Sequence, residues 1–364
     1  MIIMKIALVV PYFSGFGSNE SEIAEEFMRK GHRVTVFTTN IRSGSRLKNI
    51  SYSLNKNFDI KYVKVLYNFM GWPYTIDFSE KLKDFDLILA EEDYQYMSYI
   101  AYLAAKKYNI KIIVSNERYY VPKFPKSLFL KTIEAIYTSK IRSYVPFITV
   151  HANSAKKYLR SIGFKKNIPV IFTAINLSKL KIKKSNIIQD KYNLNKKDIV
   201  VFTIGRLVEF KNYLKLIEAF SKLPKNYKLI IVGKGELEQE FRKYITNNNI
   251  SNVILETTFL EPRIIQQYMN SSDIYIQPSL IEPFGIAVRE AMALGKPIIV
   301  TKEGGMIEAI DGNGSFTSKN LDNLKEKIDD CYTNKTKYSR KSIELAKMYD
   351  VSKICDQYLK LIKN

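Results

Sequence analysis

A chain of 364 residues with ordinary apolar content can bury two hydrophobic cores, and it contains no apolar run near the roughly 18 residues that a membrane-spanning helix requires. Two cysteines, Cys331 and Cys355, supply neither a metal cage nor a disulfide framework and suit a reducing cytosol, while two histidines, His32 and His151, exclude a histidine-rich metal centre. The net charge of +21 points to an anionic partner, nucleic acid or lipid, although a Lys-, Asn-, Ile- and Tyr-rich composition accounts for part of it.

The first apolar run, 2–10, is too short to span a bilayer, lacks a cleavage site and reads as a buried first strand. Strand-like runs follow at 5–11, 33–38, 58–65, 86–90, 111–115 and 147–150. An amphipathic helix over 21–30, closed by Gly31, separates the first two, and the βαβ alternation predicts a doubly wound parallel sheet. Ligands of such sheets bind at the loops after the carboxyl ends of the strands. The loop 11–18 carries Gly15 and Gly17, where backbone can approach a ligand closely. It lacks the full Gly-x-Gly-x-x-Gly pattern, and the second strand ends in Thr38-Thr39-Asn40 rather than an acid, which disfavours a nicotinamide dehydrogenase. Glu91, Glu92 and Asp93 after the fourth strand read as solvated acids or acceptor contacts, and His32 and His151 as structural residues. Over 118–166, eleven cations face Glu134 alone, with Phe124, Phe129, Tyr137, Tyr144 and Phe147 interleaved. Two readings stand side by side: adsorption to an anionic membrane, or a solvated helical face backed by core aromatics.

A polar segment at 177–197 marks a domain boundary, after which the grammar repeats with strands at 198–204, 228–232, 253–256, 273–277 and 297–301. Gly205 ends the first of these, and Arg206 and Lys211 follow as a planar fork and a point charge entering a helix. This is either a diphosphate clamp or ordinary surface charge. Gly233-Lys-Gly235 after the next strand is a weak motif, since any tight strand–helix turn uses one. The stretch Glu282-Pro-Phe-Gly-Ile-Ala-Val-Arg-Glu290 places two carboxylates around a Gly-containing turn into a helix, an arrangement that aims backbone N–H groups at a ligand. Lys302-Glu303-Gly304-Gly305 reads as a turn with an acidic helix start.

With Pro278-Ser279 before it and Gly295-Lys-Pro297 after it, the Glu282–Glu290 element resembles the Glu-x7-Glu signature of the retaining GT-B glycosyltransferases, the glycosyl transferases group 1 family. The resemblance is dense over 199–308 and looser before. It implies two Rossmann-like domains facing a cleft: 1–175 on the acceptor side, 176–345 on the nucleotide-sugar side, and a closing helix, 346–364, crossing back. It implies transfer of a hexose-type sugar from a UDP- or GDP-sugar to an acceptor hydroxyl of a glycan, a lipid-linked glycan or another molecule. By the same resemblance Arg206 and Lys211 hold the leaving diphosphate, Glu282 the sugar hydroxyls and Glu290 the ribose. Gly15, Gly205, Gly233, Leu260, Phe284, Gly285 and Ile286 line the donor. No metal or other cofactor and no nucleic acid is expected. The cytoplasm, with the inner face of the cell membrane, is the expected place of work. Many family members carry a histidine after the strand that corresponds to 111–115; here the loop reads Asn116-Glu117-Arg118, so Glu117 and Arg118 are the candidate sugar or acceptor contacts. An epimerase of the same fold, a non-catalytic nucleotide-sugar binder and a basic nucleic-acid binder are the competing readings.

Overall fold

The computed structural model describes residues 3–13, 18–41, 58–69, 71–120, 125–183, 185–310 and 314–363. It divides into two compact units, Met1–Ala174 with Val351–Asn364, and Ile175–Asp350. In the first, β1 (Lys5–Val9), β2 (Arg33–Thr38) and β3 (Asp59–Tyr62) are followed by a hairpin, β4 (Val65–Phe69) and β5 (Trp72–Thr75), and then by β6 (Leu87–Ala90), β7 (Lys111–Asn116) and β8 (Thr149–Val150). The sheet order is β3-β2-β1-β6-β7-β8, parallel throughout. The second unit holds β9 (Ile199–Ile204), β10 (Tyr227–Val232), β11 (Val253–Glu256), β12 (Ile274–Gln277), β13 (Ile298–Thr301) and β14 (Ser315–Thr317), again all parallel, in the order β11-β10-β9-β12-β13-β14. In both sheets the strand order reverses beside the first strand, next to β6 in one and β12 in the other. Those reversals are where a doubly wound sheet opens a crevice for a ligand.

The burial of the strands explains their sequence. Four of the five residues of β1 and every residue of β6, β12 and β13 are buried, as expected when helices cover both faces of a parallel sheet. The first helix, Asn19–Arg29, begins two residues before the position read from periodicity. Ser18 caps it by accepting from the Ser21 amide at 3.2 Å, while the Ser21 hydroxyl accepts from the Ser18 amide at 3.1 Å. The run 58–65 is not one strand: β3 ends at Tyr62, and Val65 opens the antiparallel hairpin that turns at Gly71, whose φ of +86° favours glycine. The edge strand β14 is only three residues long and carries no periodic signal.

The closing helix, Val351–Leu361, buries Val351, Ile354, Cys355 and Tyr358 in the same core as Ile23 and Phe27 of the first helix. The chain ends therefore pack as part of the first unit. Ile354→Ala removes a fully buried side chain and is expected to cost about 2–5 kcal/mol of that unit's stability. Denaturant unfolding that leaves the midpoint unmoved would contradict this packing.

Candidate functional site

In the second unit the strand ends meet through backbone. The Gly205 amide donates to the Val232 carbonyl at 3.0 Å, and the Gly233 amide to the Glu256 carbonyl at 3.0 Å. A Cβ on Gly233 would stand 1.9 Å from the Gly205 oxygen, and one on Gly235 would stand 2.3 Å from the Leu207 oxygen. Both positions exclude a side chain, so the weak Gly-x-Gly motif is a packing requirement of this turn.

The loop after β9 runs through a short 3-10 turn, Glu209–Lys211, into the helix Tyr213–Ser221. Lys211 leaves that turn toward Glu282, its ammonium 2.5 Å from Oε2, with the side chains only 15% and 12% exposed. Glu282 also accepts from the Gly285 amide at 3.3 Å and the Ser279 hydroxyl at 3.4 Å. Backbone fastens the surrounding loops. The Leu280 amide donates to the Phe210 carbonyl at 2.8 Å, and the Gly305 amide donates to the carbonyls of Glu282 and Pro283 at 3.3 and 3.0 Å. Gly285, at φ +64°, caps the helix Ile286–Ala293 that carries Glu290. Beneath Ser279 runs a buried hydrogen-bond chain: Tyr275 donates to Gln277 and Gln277 to Ser279, each at 2.7 Å.

Arg206 is exposed on the same loop, its guanidinium carbon 5.6 Å from the Phe210 ring, and the Lys211 ammonium is 5.9 Å from that ring. The structure thus brings Arg206, Lys211 and Glu282 to adjoining loops, with Gly205 and Gly233 following β9 and β10, Phe284 and Gly285 in the loop after β12, and Ile286 and Glu290 in the helix that loop enters. Leu260 is half-buried in the loop after β11. Gly15 lies outside the described residues. Sequence reasoning missed Arg289, which is fully buried with its guanidinium carbon 4.3 Å from the Tyr349 ring. Burial pulls its pKa down, against the pull of Tyr349, Glu308 and Glu282. It also missed Phe210, which has no motif of its own.

The first unit gathers acids at the ends of β6 and β7. Glu92 and Asp93 are buried, which corrects their reading as solvated loop acids. Asp93 is held by Arg142 at 2.6 Å and Asn116 at 2.7 Å. Glu92 adopts a left-handed φ of +63°, uncommon for a residue with a side chain. Arg118 lies against it, stacked 3.8 Å from the Tyr94 ring centroid. Glu20, Glu91 and Glu117 each bring a carboxylate oxygen within 4.8 Å of the others, close enough to hold a cation. A cavity of about 20 Å³ adjoins them, lined among others by Glu91, Ser115, His151 and Tyr358. His151 itself is fixed by a 2.7 Å contact from Nδ1 to the Ile171 carbonyl, and Nδ1 of His32 accepts from the Met4 amide at 3.3 Å.

Protons can do what a cation would do there. Burial first, then the neighbouring acids Glu20 and Glu92, push the carboxyls of Glu91 and Glu117 well above the ordinary range. Burial raises Glu92 to about 7 against the opposing charge of Arg118. Such a carboxyl is protonated in the folded protein between pH 4.5 and about 7, where it is ionised in the unfolded chain. The folded state then binds more protons, so stability is highest below that window and falls as pH rises through it. Unfolding midpoints measured from pH 5 to pH 8 should decline, and Glu92→Gln should flatten part of the decline; an unchanged slope in the variant would place the titration elsewhere.

Two family models match the chain: Glycosyl transferases group 1 over residues 184–348 and Glycosyltransferase Family 4 over residues 21–179. An uncharacterized glycosyltransferase of Methanocaldococcus jannaschii is 30% identical over 163 residues, which span 43% of this chain and 40% of that protein. The chain thus covers less than half the length of that relative. The N,N'-diacetylbacillosaminyl-diphospho-undecaprenol alpha-1,3-N-acetylgalactosaminyltransferase of Campylobacter jejuni is 29% identical over 279 residues, 71% of this chain and 72% of that one. Among solved structures, Anabaena HepE in complex with UDP and glucose superposes with a TM-score of 0.77 over 99% of both chains, at 18% identity. The chain thus has the GT-B fold of two Rossmann-like parallel-sheet units and is a glycosyltransferase by both family matches, Glycosyltransferase Family 4 in the first unit and glycosyl transferases group 1 in the second.

Proposed function

We propose that this protein is a retaining glycosyltransferase, independent of metal ions, that moves a hexose-type sugar from a UDP-sugar to a hydroxyl of a lipid-linked glycan. The observation that carries the reading is the Lys211–Glu282 pair, 2.5 Å apart at the carboxyl ends of β9 and β12, with Arg206 exposed on the same loop. The UDP-bound neighbour and the diphospho-undecaprenol-directed relative support the choice of donor and acceptor.

The difficulty of the reaction is expelling a diphosphate while positive charge grows on the anomeric carbon. Lys211 spends one of its three donors on Glu282, and its remaining donors with the Arg206 fork match the oxygens of a diphosphate. Cations fixed before the reaction need no reorganisation as the leaving group takes up charge, and this is the work a divalent metal would otherwise do. Glu282 has a second oxygen facing the Gly285 amide, and its carboxylate suits sugar hydroxyls. Glu290 suits the ribose diol. The bond from the anomeric carbon to the diphosphate oxygen breaks, the acceptor oxygen bonds to the same face, and the acceptor proton passes to the departing phosphate. Retention follows from that geometry. Glu117 and Arg118 of the first unit are the proposed acceptor contacts.

Thermal unfolding with UDP, GDP and ADP separates donor binding from non-specific anion binding: UDP should raise the midpoint most, and no shift at millimolar nucleotide counts against the site. Lys211→Ala and Glu282→Gln should each lower kcat/KM for transfer by about a hundredfold or more with the fold retained. Transfer followed by product mass and anomeric configuration should be unchanged by EDTA; strict dependence on a divalent ion, or an inverted product, overturns the mechanism.

A further inference from the structure

We infer that the exposed face of the continuous helix 126–144, together with the β4–β5 hairpin stacked on it, is seated in the headgroup layer of an anionic bilayer. This names the surface where the proposed lipid-linked acceptor is met, and it rests on that reading.

The segment is helical without a break: Lys126–Ile133, a π turn Glu134–Thr138, then Ser139–Tyr144. The wide π turn faces Glu134, Ala135 and Ile136 outward in succession. Leu128 is 59% exposed and Ile136 is 56% exposed. Lys131 and Lys140, one turn beyond each, are also exposed and have no carboxylate partner among the described residues. Glu134, the acid of this segment, is occupied by Arg142 at 2.6 Å. The outer face therefore presents apolar side chains next to uncompensated cations.

An aromatic stack extends it. Phe129 lies 4.5 Å from Phe69 and 5.1 Å from Trp72, centroid to centroid, and Phe69 stacks in turn at 6.2 Å on Tyr67, which is 61% exposed. Tyr67, Leu128 and Ile136 are large apolar side chains left exposed on one unit, and the Phe69–Phe129–Trp72 contacts tie the hairpin that carries the first to the helix that carries the other two. Its mixture of aromatic, aliphatic and lysine side chains suits an interface with an oily side and an anionic side.

The charge decides between a bilayer and a second copy. Two chains of net charge +21 would press the same lysines together across a two-fold contact. The inference also differs from simple adsorption of a basic stretch. Arg118 stacks inward on Tyr94, Arg142 binds Asp93, Arg160 donates to the Phe164 carbonyl at 2.6 Å, and Lys166 donates to the Ser143 and Val145 carbonyls at 2.6 and 2.8 Å. Much of the charge between 118 and 166 is therefore spent inside the protein, and insertion of apolar side chains must carry the rest.

Trp72 is the chain's one tryptophan and lies in the stack, so its fluorescence reports docking directly. The full chain is titrated with phosphatidylcholine vesicles and with vesicles containing phosphatidylglycerol, by co-sedimentation and by Trp72 emission. Binding to the anionic vesicles with a shift in emission is expected, reduced about tenfold or more by Leu128→Glu with Ile136→Glu and less by Lys131→Ser with Lys140→Ser. Vesicle binding that the glutamate variant leaves intact overturns the proposal. So does self-association of the wild-type chain without vesicles that the glutamate variant abolishes, since that would make the face a contact between copies. Nucleotide-induced thermal shifts in the same variants separate the two readings: intact UDP stabilisation without vesicle binding removes only this inference, and vesicle binding without UDP stabilisation removes only the donor site.

Discussion

The second unit is organised around one constraint, an ammonium and a carboxylate held at 2.5 Å with little of either exposed. Removing two such charges from water costs several kcal/mol per ion unless the attraction and additional hydrogen bonds offset it. Lys211 cannot reach Glu282 unless the loops after β9 and β12 are fixed against each other, and the Leu280–Phe210 backbone bond does that. The Gly305 amide, bonded to the Glu282 carbonyl, brings the loop after β13 to the same point. The glycines at 205, 233 and 235 then allow the neighbouring turns to approach closely enough that no Cβ fits at 233 or 235. A loop cluster this constrained can present cations to an anion without rearranging, which is what stabilisation of a leaving group requires.

The first unit handles charge in the opposite way. Its acids are not answered one by one by cations. Asp93 has Arg142, and Glu92 has Arg118 nearby, but Glu91 and Glu117 stand beside other carboxylates, and burial with those neighbours pushes their carboxyls well above the ordinary range. The two units thus differ in how their charges are answered, protons and neighbouring acids in the first and a close ion pair in the second, even though their sheets share one topology.

Most strands were legible because a parallel strand buried on both faces leaves a short apolar run, as at 5–11 and 273–277, and the loops between such runs could be assigned to the carboxyl ends. Arg206 and Glu282 stand out in the sequence beside glycine turns and Lys211 by its spacing from Arg206, but the Lys211–Glu282 pair does not, because its 2.5 Å contact joins positions far apart in the chain. What was hidden has the same cause. Glu20 joins Glu91 and Glu117 only through the β1-β6-β7 strand order, and Arg289 looks like any helix-surface arginine until Tyr349 covers it. The hairpin reads as a single strand because Lys64 and Val65 continue the run that Tyr62 ends, and the residue that marks the turn, Gly71, comes only after that run.

The same distinction applies to the net charge. A composition of +21 treats every lysine and arginine as equivalent, but folding sorts them into kinds that do different work. Arg289 and Lys296 are buried, and the Lys296 ammonium donates to the carbonyls of Asn270 and Ser272, so these two serve architecture. Lys211 is committed to a carboxylate and gains its value from the loops that hold it. Lys131 and Lys140 keep their charge for the surface. Long-range attraction between exposed charges is screened within about 8 Å at physiological salt, so only the last kind responds strongly to ionic strength. Salt dependence therefore reports on the surface cations and leaves the ion pair at Glu282 almost untouched, which makes the overall charge of the chain a poor measure of what it binds and the placement of a few cations a good one.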